Sequence, residues 1–542
     1  MSRSRKHQFS CFFLNRASVT LAFNLGVFLL TVLLFSAGAA WAKPTTPKQA
    51  QTVVRNWLSL DAVPLGAPLG RQIKKVRTFN DDAGQPDYYV VYLNPSGLVF
   101  LSADDLVEPI IAFVSGATSY DPDPTNPLGA LVSRDIPSRV LKARQVEVQS
   151  LEKGAAPGPT HQVKARQKWA SLSNPTTNEK AAGWYDSIYD VWVAPLLQSR
   201  WNQKTVDNTV SGPTCYNYYT PNNYDCGCVA TAMAQLMRYW QYPINGIGVN
   251  SFTITVDGTS QTNTTLGGDG AGGPYVWGSM VLDPVNYSGL TTIQRQAIGA
   301  LTYDAGLSVN MSYNSGGSGS ELDKAVNAFT STFDYSNAKN GKNSGANLPE
   351  ADLYAMVNPN LNARYPVLFA IQGGSDGHAI VCDGYGYNSL TIYHHLNVGW
   401  SGEDNAWYNL PAIPLGDVQY TSITGCVYNI YPSGSGEIIA GRVTDNNLPQ
   451  KPISGATVTA TGSGGPYTTT TDVNGIYALA KVSSSTAFTV SATKAGYTFP
   501  SQSVTTGTST DNSTTTGNLW GIDFVGSAIP CSIAPVLMLL LD

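Results

Sequence analysis

The sequence predicts an α+β protein of several domains, with three observations behind that prediction. Within residues 191–432 helical stretches come first and closely spaced strands second. Residues 437–527 alternate apolar and polar positions, carry few charges and place a turn every eight to twelve or so positions, which is a β-sandwich pattern. The 52 glycines and 32 prolines gather between short β-branched and aromatic runs, as turns between antiparallel strands do. A chain of 542 residues has room for roughly three or four such units. The 32 basic and 37 acidic residues are spread without a dense Lys/Arg block, which excludes nucleic acid as a partner.

Taken in order, the chain opens with Arg3, Arg5 and Lys6, an apolar stretch over residues 21–35, and "SAGAAWA", whose Ala40 and Ala42 fit a signal-peptidase site. Residues 1–42 therefore read as a signal peptide and the product as secreted, the alternative being an uncleaved anchor. Residues 43–132 read as a small α+β domain. In it "QAQTVVRNWLSL" is an amphipathic helix, "YYVVYLNPSGLVFLSADD" a hairpin turned at 94–97, and "PIIAFVSG" a strand. Residues 133–190 are polar, partly basic and interrupted by "GAAPGP", and read as an exposed connector open to cleavage; a pair of short surface helices is the other reading.

The unit 191–432 has helical patterns at 229–240, in "TTIQRQAIGALTYDAGLSV" and in "SELDKAVNAFTSTF". Strands follow in "YPVLFAIQ", "HAIVCDGYGY", "LTIYHHLNV", "AWYNL" and "GCVYNIYP". A linker at 433–436 leads to the sandwich, and 528–542 form an apolar tail shorter than the ~20 residues a bilayer span needs.

Chemistry gathers on cysteine. Cys11 falls in the signal peptide and Cys531 in the tail, leaving Cys215, Cys226, Cys228, Cys382 and Cys426, an odd set that demands a free thiol in an exported domain. In "DCGCVATAMAQLMRYW" Val229, Met233, Leu236, Met237 and Trp240 recur at helical spacing, so Cys228 sits in the first turn of a buried helix. The positive end of the helix dipole favours a thiolate there, the nucleophilic form. Cys226 falls in the preceding loop, where Cys215 is an obvious disulfide partner. A closed zinc site needs four ligands and these cysteines supply three. A purely structural buried Cys228 is the blander reading.

Histidine decides between them. In the same unit only His378, His394 and His395 occur. His378 follows Gly377 at the head of an apolar strand, where an imidazole can take a thiol proton and return it to a leaving amine. His394 and His395 occupy successive strand positions and point to opposite faces, so both cannot address one cysteine.

With these residues in place a family resemblance emerges. "PLLQSRWNQ", "CGCVATAMAQLMRYWQYP", "YVWGSM", "DAGLSVNMSYNSGGSGS", "PVLFAIQGGSDGHAIVCDGYG" and "HLNVGWSGEDNAWYNL" together resemble the streptopain family of papain-like cysteine peptidases, in the family's order. The resemblance implies a papain-like catalytic domain with Cys228 as nucleophile and His378 as base. It implies Gln203 as the oxyanion-hole glutamine, and Asn397 and Trp400 as the asparagine and second tryptophan of the family's N-W-G-W-G-G element. Val398 replaces the first tryptophan, which in papain-like sites shields the histidine's orienting hydrogen bond from water.

Residues 43–132 resemble the family's inhibitory prodomain. The segment 437–527 is similar to carboxypeptidase-regulatory-like and Cna-B-type sandwiches, which serve as stalks or adhesive appendages. The expectation is thus an exported cysteine endopeptidase zymogen acting on polypeptides, inhibited by its own prodomain, needing no cofactor or metal, with surface attachment through the sandwich. An adhesion protein with a decayed peptidase domain, or a ligase or amidase on the same fold, are the alternatives, separable by thiol-directed epoxide labelling and by product assay.

Overall fold

The first helix, α1 (Pro47–Leu60), starts where a capping box can form: the Thr46 hydroxyl accepts from the Gln49 N–H and the Gln49 side chain accepts from the Thr46 N–H. Its buried residues Ala50, Val53, Val54, Trp57 and Leu58 follow helical spacing and make one apolar face. The computed structural model describes residues 44–152, 160–174, 190–343, 348–371, 377–410, 414–415, 418–419 and 423–529. The expected signal peptide, the "GAAPGP" segment and the tail beyond residue 529 lie outside the described residues.

Strands β1 (Gln72–Asn80), β2 (Pro86–Asn94), β3 (Leu98–Ser102) and β4 (Ile110–Val114) form an antiparallel meander, and the predicted turn closes with Leu93 N–H donating to Gly97 O at 2.9 Å. The unbroken apolar run in β2 has a physical cause. Tyr88, Val90 and Tyr92 face one core while Tyr89, Val91 and Leu93 face another, so both sides of the strand are covered.

Helices α2 (Pro127–Glu152) and α3 (Thr160–Ser173) follow. Residues 133–152 thus belong to a helix rather than to an exposed connector. Val132, Ile136, Val140 and Ala143 are buried on one side of α2, a period that the charged outer face and Pro137 dilute in the sequence.

The unit from residue 190 onward contains β5 (Asp190–Val193), α4 (Cys228–Trp240), the hairpin β6 (Ser251–Val256) and β7 (Thr259–Thr264), α5 (Thr292–Ser308), β8 (Ser312–Tyr313), the short α6 (Lys324–Asn327) and β9 (Asn337–Lys342). Next come α7 (Glu350–Asn362), β10 (Val367–Ile371), β11 (His378–Asn388), β12 (Thr391–Asn397), β13 (Ala406–Tyr408), the small pair β14 (Pro414–Leu415) and β15 (Val418–Gln419), and β16 (Ile423–Tyr431). The arrangement is mixed α+β, as expected. Beyond expectation, β4 pairs with β13 through Ala112 opposite Tyr408 and Phe113 opposite Trp407. One 11-stranded sheet therefore runs β1-β2-β3-β4-β13-β12-β11-β10-β16-β9, with β5 added on β11. Trp57, Phe113, Trp169, Tyr393 and Trp407 pack on one face of this junction, and Tyr88, Phe100, Ile136, Phe369 and Tyr408 belong to the core on the other.

Two four-stranded sheets make the C-terminal sandwich, ordered β20-β17-β24-β22 and β19-β18-β21-β23, from β17 (Glu437–Asp445), β18 (Thr457–Gly462), β19 (Tyr467–Thr470), β20 (Ile476–Val482), β21 (Ala487–Thr493), β22 (Tyr497–Thr498), β23 (Gln502–Thr505) and β24 (Phe524–Ala528). The sandwich is packed against the preceding unit. Arg442 lies 4.8 Å over the Trp192 ring, Trp520 Nε1 donates to Tyr385 OH at 3.4 Å, Arg364 pairs with Asp472, and Asn429 exchanges buried amide hydrogen bonds with Asn360 and Asn518.

Candidate active site

Helix α4 delivers Cys228. Its N-cap, Gly227, sits at φ +90°, and a Cβ there would meet Met311 Sδ and Cε at 2.7 Å, so the turn that starts the helix requires glycine. From Val229 to Met237 every residue of α4 is buried, which fixes the helix and its first residue relative to the sheet. The loop before it is pinned by Cys226 N–H donating to Gln203 O at 2.9 Å. One hydrogen bond thus ties the expected oxyanion glutamine to the cysteine turn.

Cys226 itself points inward, its Sγ 3.2 Å from Thr231 Oγ1, and Cys215 is equally buried. Both are free thiols, as are Cys382 and Cys426, which corrects the expected Cys215 to Cys226 disulfide. Burial pushes the Cys215 thiol up to about 12 and Cys226 further still, so neither is a nucleophile.

Cys228 is half-buried. Burial pushes its thiol up as well, against the backbone N–H groups of Ala379, Val229 and Cys228 itself, which favour the thiolate. The expected net downward shift is therefore absent in this state, since desolvation outweighs the helix terminus. The Ala379 contact is informative in another way: it sets the sulfur against the residue next to His378 at the head of β11.

His378 stands opposite Ile371 of β10 in the register, and its Nε2 donates to the carbonyl of Pro124 at 3.0 Å. Pro124 belongs to the loop between β4 and α2. That loop is held by Asp123 Oδ1, which accepts from the Thr125 N–H and hydroxyl, and by Asn126 Nδ2 donating to Asp404 Oδ2 at 2.8 Å. A cleft of about 1300 Å³ collects Gln203, Cys228, Gly377, His378 and Trp400 on its wall, with Thr125 of the N-terminal unit among them.

Asn397 is not on that wall. It is buried below, its Oδ1 accepting from Gln235 Nε2 at 3.2 Å and Gly399 N–H at 3.1 Å, and its Nδ2 donating to Ser199 O. The amide expected to orient His378 is engaged here with α4 and the 397–399 turn, while His378 Nε2 is engaged with Pro124. Val398 is buried and donates its N–H to Asn405 Oδ1. The other histidines separate as strand alternation demands. His394 is enclosed between Tyr354 and Tyr385, donates its Nε2–H to Asn358 Oδ1 at 2.7 Å, and is driven down to about 3 by burial. His395 faces the other way, its Nδ1 2.6 Å from Asp383 Oδ1.

Sequence reasoning missed Pro124 and Thr125, the Ala379 N–H and Gln235. Of these only Gln235 left a signal, as a polar residue on an otherwise apolar helix. Among the described residues no group of three His, Cys, Asp or Glu side chains is placed to hold a metal ion.

Two family models match this chain. Residues 201–408 match the Peptidase C10 family and residues 42–132 match the Spi protease inhibitor family. Streptopain of Streptococcus pyogenes serotype M1 is 30% identical over 237 residues, covering 40% of this chain and 57% of streptopain. The thiol protease/hemagglutinin PrtT of Porphyromonas gingivalis is likewise 30% identical over 237 residues, covering 42% of this chain and 25% of PrtT. The chain thus spans little more than half of one relative and a quarter of the other. A solved fragment of Prevotella intermedia prointerpain A superposes with a TM-score of 0.44 at 21% identity, covering 66% of this chain and 98% of the fragment.

Proposed function

We propose that this chain, which carries a peptidase C10 domain behind a Spi-type inhibitor domain, is the latent precursor of a secreted cysteine endopeptidase. The observation that carries the reading is one cleft in which Cys228, at the start of a buried helix, meets the head of the His378 strand, with a carbonyl of the N-terminal unit holding the histidine.

In the active form Cys228 Sγ attacks the scissile carbonyl carbon and His378 takes the thiol proton. The backbone N–H of Cys228 and the Gln203 amide stabilise the oxyanion. Collapse of the tetrahedral species breaks the C–N bond as His378 returns its proton to the leaving amine. Water, deprotonated by His378, then hydrolyses the thioester and restores the thiol. Asn397 is assigned the orienting role once His378 is released from Pro124, and Trp400 and Gly377 shape the cleft beside it. Latency rests on the contact in which Pro124 O accepts the Nε2–H of His378, with Thr125 of the same loop on the cleft wall. Export rests on the N-terminal 1–42 pattern, and removal of the N-terminal unit follows cleavage between it and residue 191.

The test is a chain beginning at Lys43. It should be latent, convert by cuts after α2 and before residue 191, and then hydrolyse peptides; Cys228→Ser should abolish hydrolysis while Cys226→Ser keeps it within about tenfold. Peptide hydrolysis by the Cys228→Ser protein would sink the mechanism.

A further inference from the structure

The edge of the sheet farthest from the N-terminal unit is β9, and an open edge strand presents unpaired N–H and C=O groups along its length. Here the loop between β23 and β24 covers it. Asn512 N–H donates to Asn340 O at 2.8 Å, Asn340 N–H donates to Asp511 Oδ1 at 3.0 Å, and Lys342 N–H donates to Ser513 O at 3.1 Å. Asn340 Nδ2 donates to Asn512 Oδ1 at 2.8 Å, and Lys339 Nζ lies 3.3 Å from Asp511. The contact is a parallel bridge between Gly341 and Ser513, one short strand added from the sandwich.

The loop is built for this shape. The buried carboxylate of Glu437 accepts from Ser509 N–H at 2.9 Å, from Ser509 Oγ at 2.6 Å and from Ser484 Oγ at 2.8 Å. Gly517 closes the loop, where a Cβ would come within 2.4 Å of the Glu437 carboxyl.

The held strand leads to the cleft. Lys342 pairs with Gly425 of β16, Gly425 with Ala370 of β10, and Ala370 with Ala379 of β11, whose N–H reaches the Cys228 sulfur. Three strand spacings separate Lys342 from Ala379, about 14 Å, or about four residues of an extended peptide. Lys342 and Asn343 stand on the wall of the same cleft as Cys228.

We propose that the C-terminal sandwich is a positioning part of the substrate cleft rather than an appendage: its 509–516 loop pairs with the edge of β9 and fixes the Lys342 and Asn343 wall, so that substrate residues about four positions from the scissile bond depend on it for binding. This rests on the peptidase reading above.

The experiment uses the full chain, activated, carrying Asp511→Ala with Asn512→Gly, the glycine keeping the φ of +55° found at residue 512. Amide exchange at Asn340 and Lys342 should accelerate at least about tenfold. For a peptide with four residues on each side of the scissile bond, KM should rise about three- to tenfold with kcat within about twofold, while a dipeptide anilide keeps both constants. Arg364→Gln, which removes a different contact between sandwich and body, should change neither KM nor exchange at these amides. Unchanged exchange, or KM values that move equally for long and short substrates, would overturn the proposal. An activated wild type that cleaves neither substrate would overturn the peptidase reading and this proposal with it. That result is distinct from the proposal's own failure, in which the wild type cleaves both.

Discussion

Arg139 of α2 is 2% exposed and Asp135 one turn earlier is fully buried. Arg139 donates to Asp135 Oδ2, to Asn409 Oδ1 at 3.0 Å and to Asn409 O at 2.6 Å, and Tyr408 OH donates to Asp135 Oδ2 at 2.7 Å. This cluster is where α2 meets the end of β13, and α2 follows the loop whose Pro124 carbonyl holds His378 and whose Thr125 lines the cleft. Arg139→Met takes the guanidinium away from the buried Asp135 carboxylate and removes the Arg139 donors from Asn409. Breaking one partner of a buried pair costs about 3–5 kcal/mol. If most of that falls on docking, the undocked population rises by a factor of about 10² to 10³.

The assay is iodoacetamide alkylation of the uncut chain over a period short against processing, with Cys228 identified by peptide mass. Cys215, Cys226, Cys382 and Cys426 are fully buried and do not compete. The wild type should label slowly and Arg139→Met about a hundredfold faster. Asp135→Asn with Arg139→Met should recover part of the difference, because no charge is then stranded. Labelling of the Arg139→Met chain at the wild-type rate, with only its melting temperature lowered, would refute the reasoning: the cluster would then stabilise the fold without governing access.

Two further outcomes follow from the site and its surroundings. Gly227→Ala meets both a positive φ and the Met311 side chain, so it should lower stability by about 1–3 kcal/mol and cut kcat by misplacing Cys228; thermal melts and single-turnover rates check this, and wild-type values for both would be incompatible with the helix start described. Glu350 is pushed up to about 7 by burial, opposed by Tyr354 and Arg139, so the folded chain holds its proton more tightly than the unfolded chain does. Its contribution is complete below the ordinary carboxylate range and is lost as pH rises toward about 7. Buried neutral His394 acts in the opposite direction below its ordinary value, so the effect is read as a difference: Glu350→Gln should match the wild type in melting temperature near pH 5 and exceed it at pH 8, and parallel curves would contradict the assignment.

Much of the site was legible in the sequence because its signals are local. The period of Val229, Met233, Leu236 and Met237 places Cys228 on the first turn of a buried helix, and the apolar run in "HAIVCDGYGY" places His378 at the head of a strand. Strand alternation likewise parts His394 from His395, and the spacing of α1 predicts its buried face. These depend on which residues neighbour one another along the chain, so local patterning is enough to place them.

Which free edges and polar groups meet is set by long-range packing. The pairing of β4 with β13, the Pro124 carbonyl on His378, the capture of the Asn397 amide by Gln235 and Ser199, and the sandwich loop on β9 each join segments from about 160 to nearly 300 residues apart. No local pattern marks them, because a backbone carbonyl or a strand edge looks the same in every sequence and acquires a partner only when packing excludes water from it. The same reason governs the thiols. Cys215 and Cys226 read as disulfide partners in the sequence, yet the direction in which α4 and its loop bury them leaves Cys226 against Thr231, and burial separates the inert cysteines from Cys228.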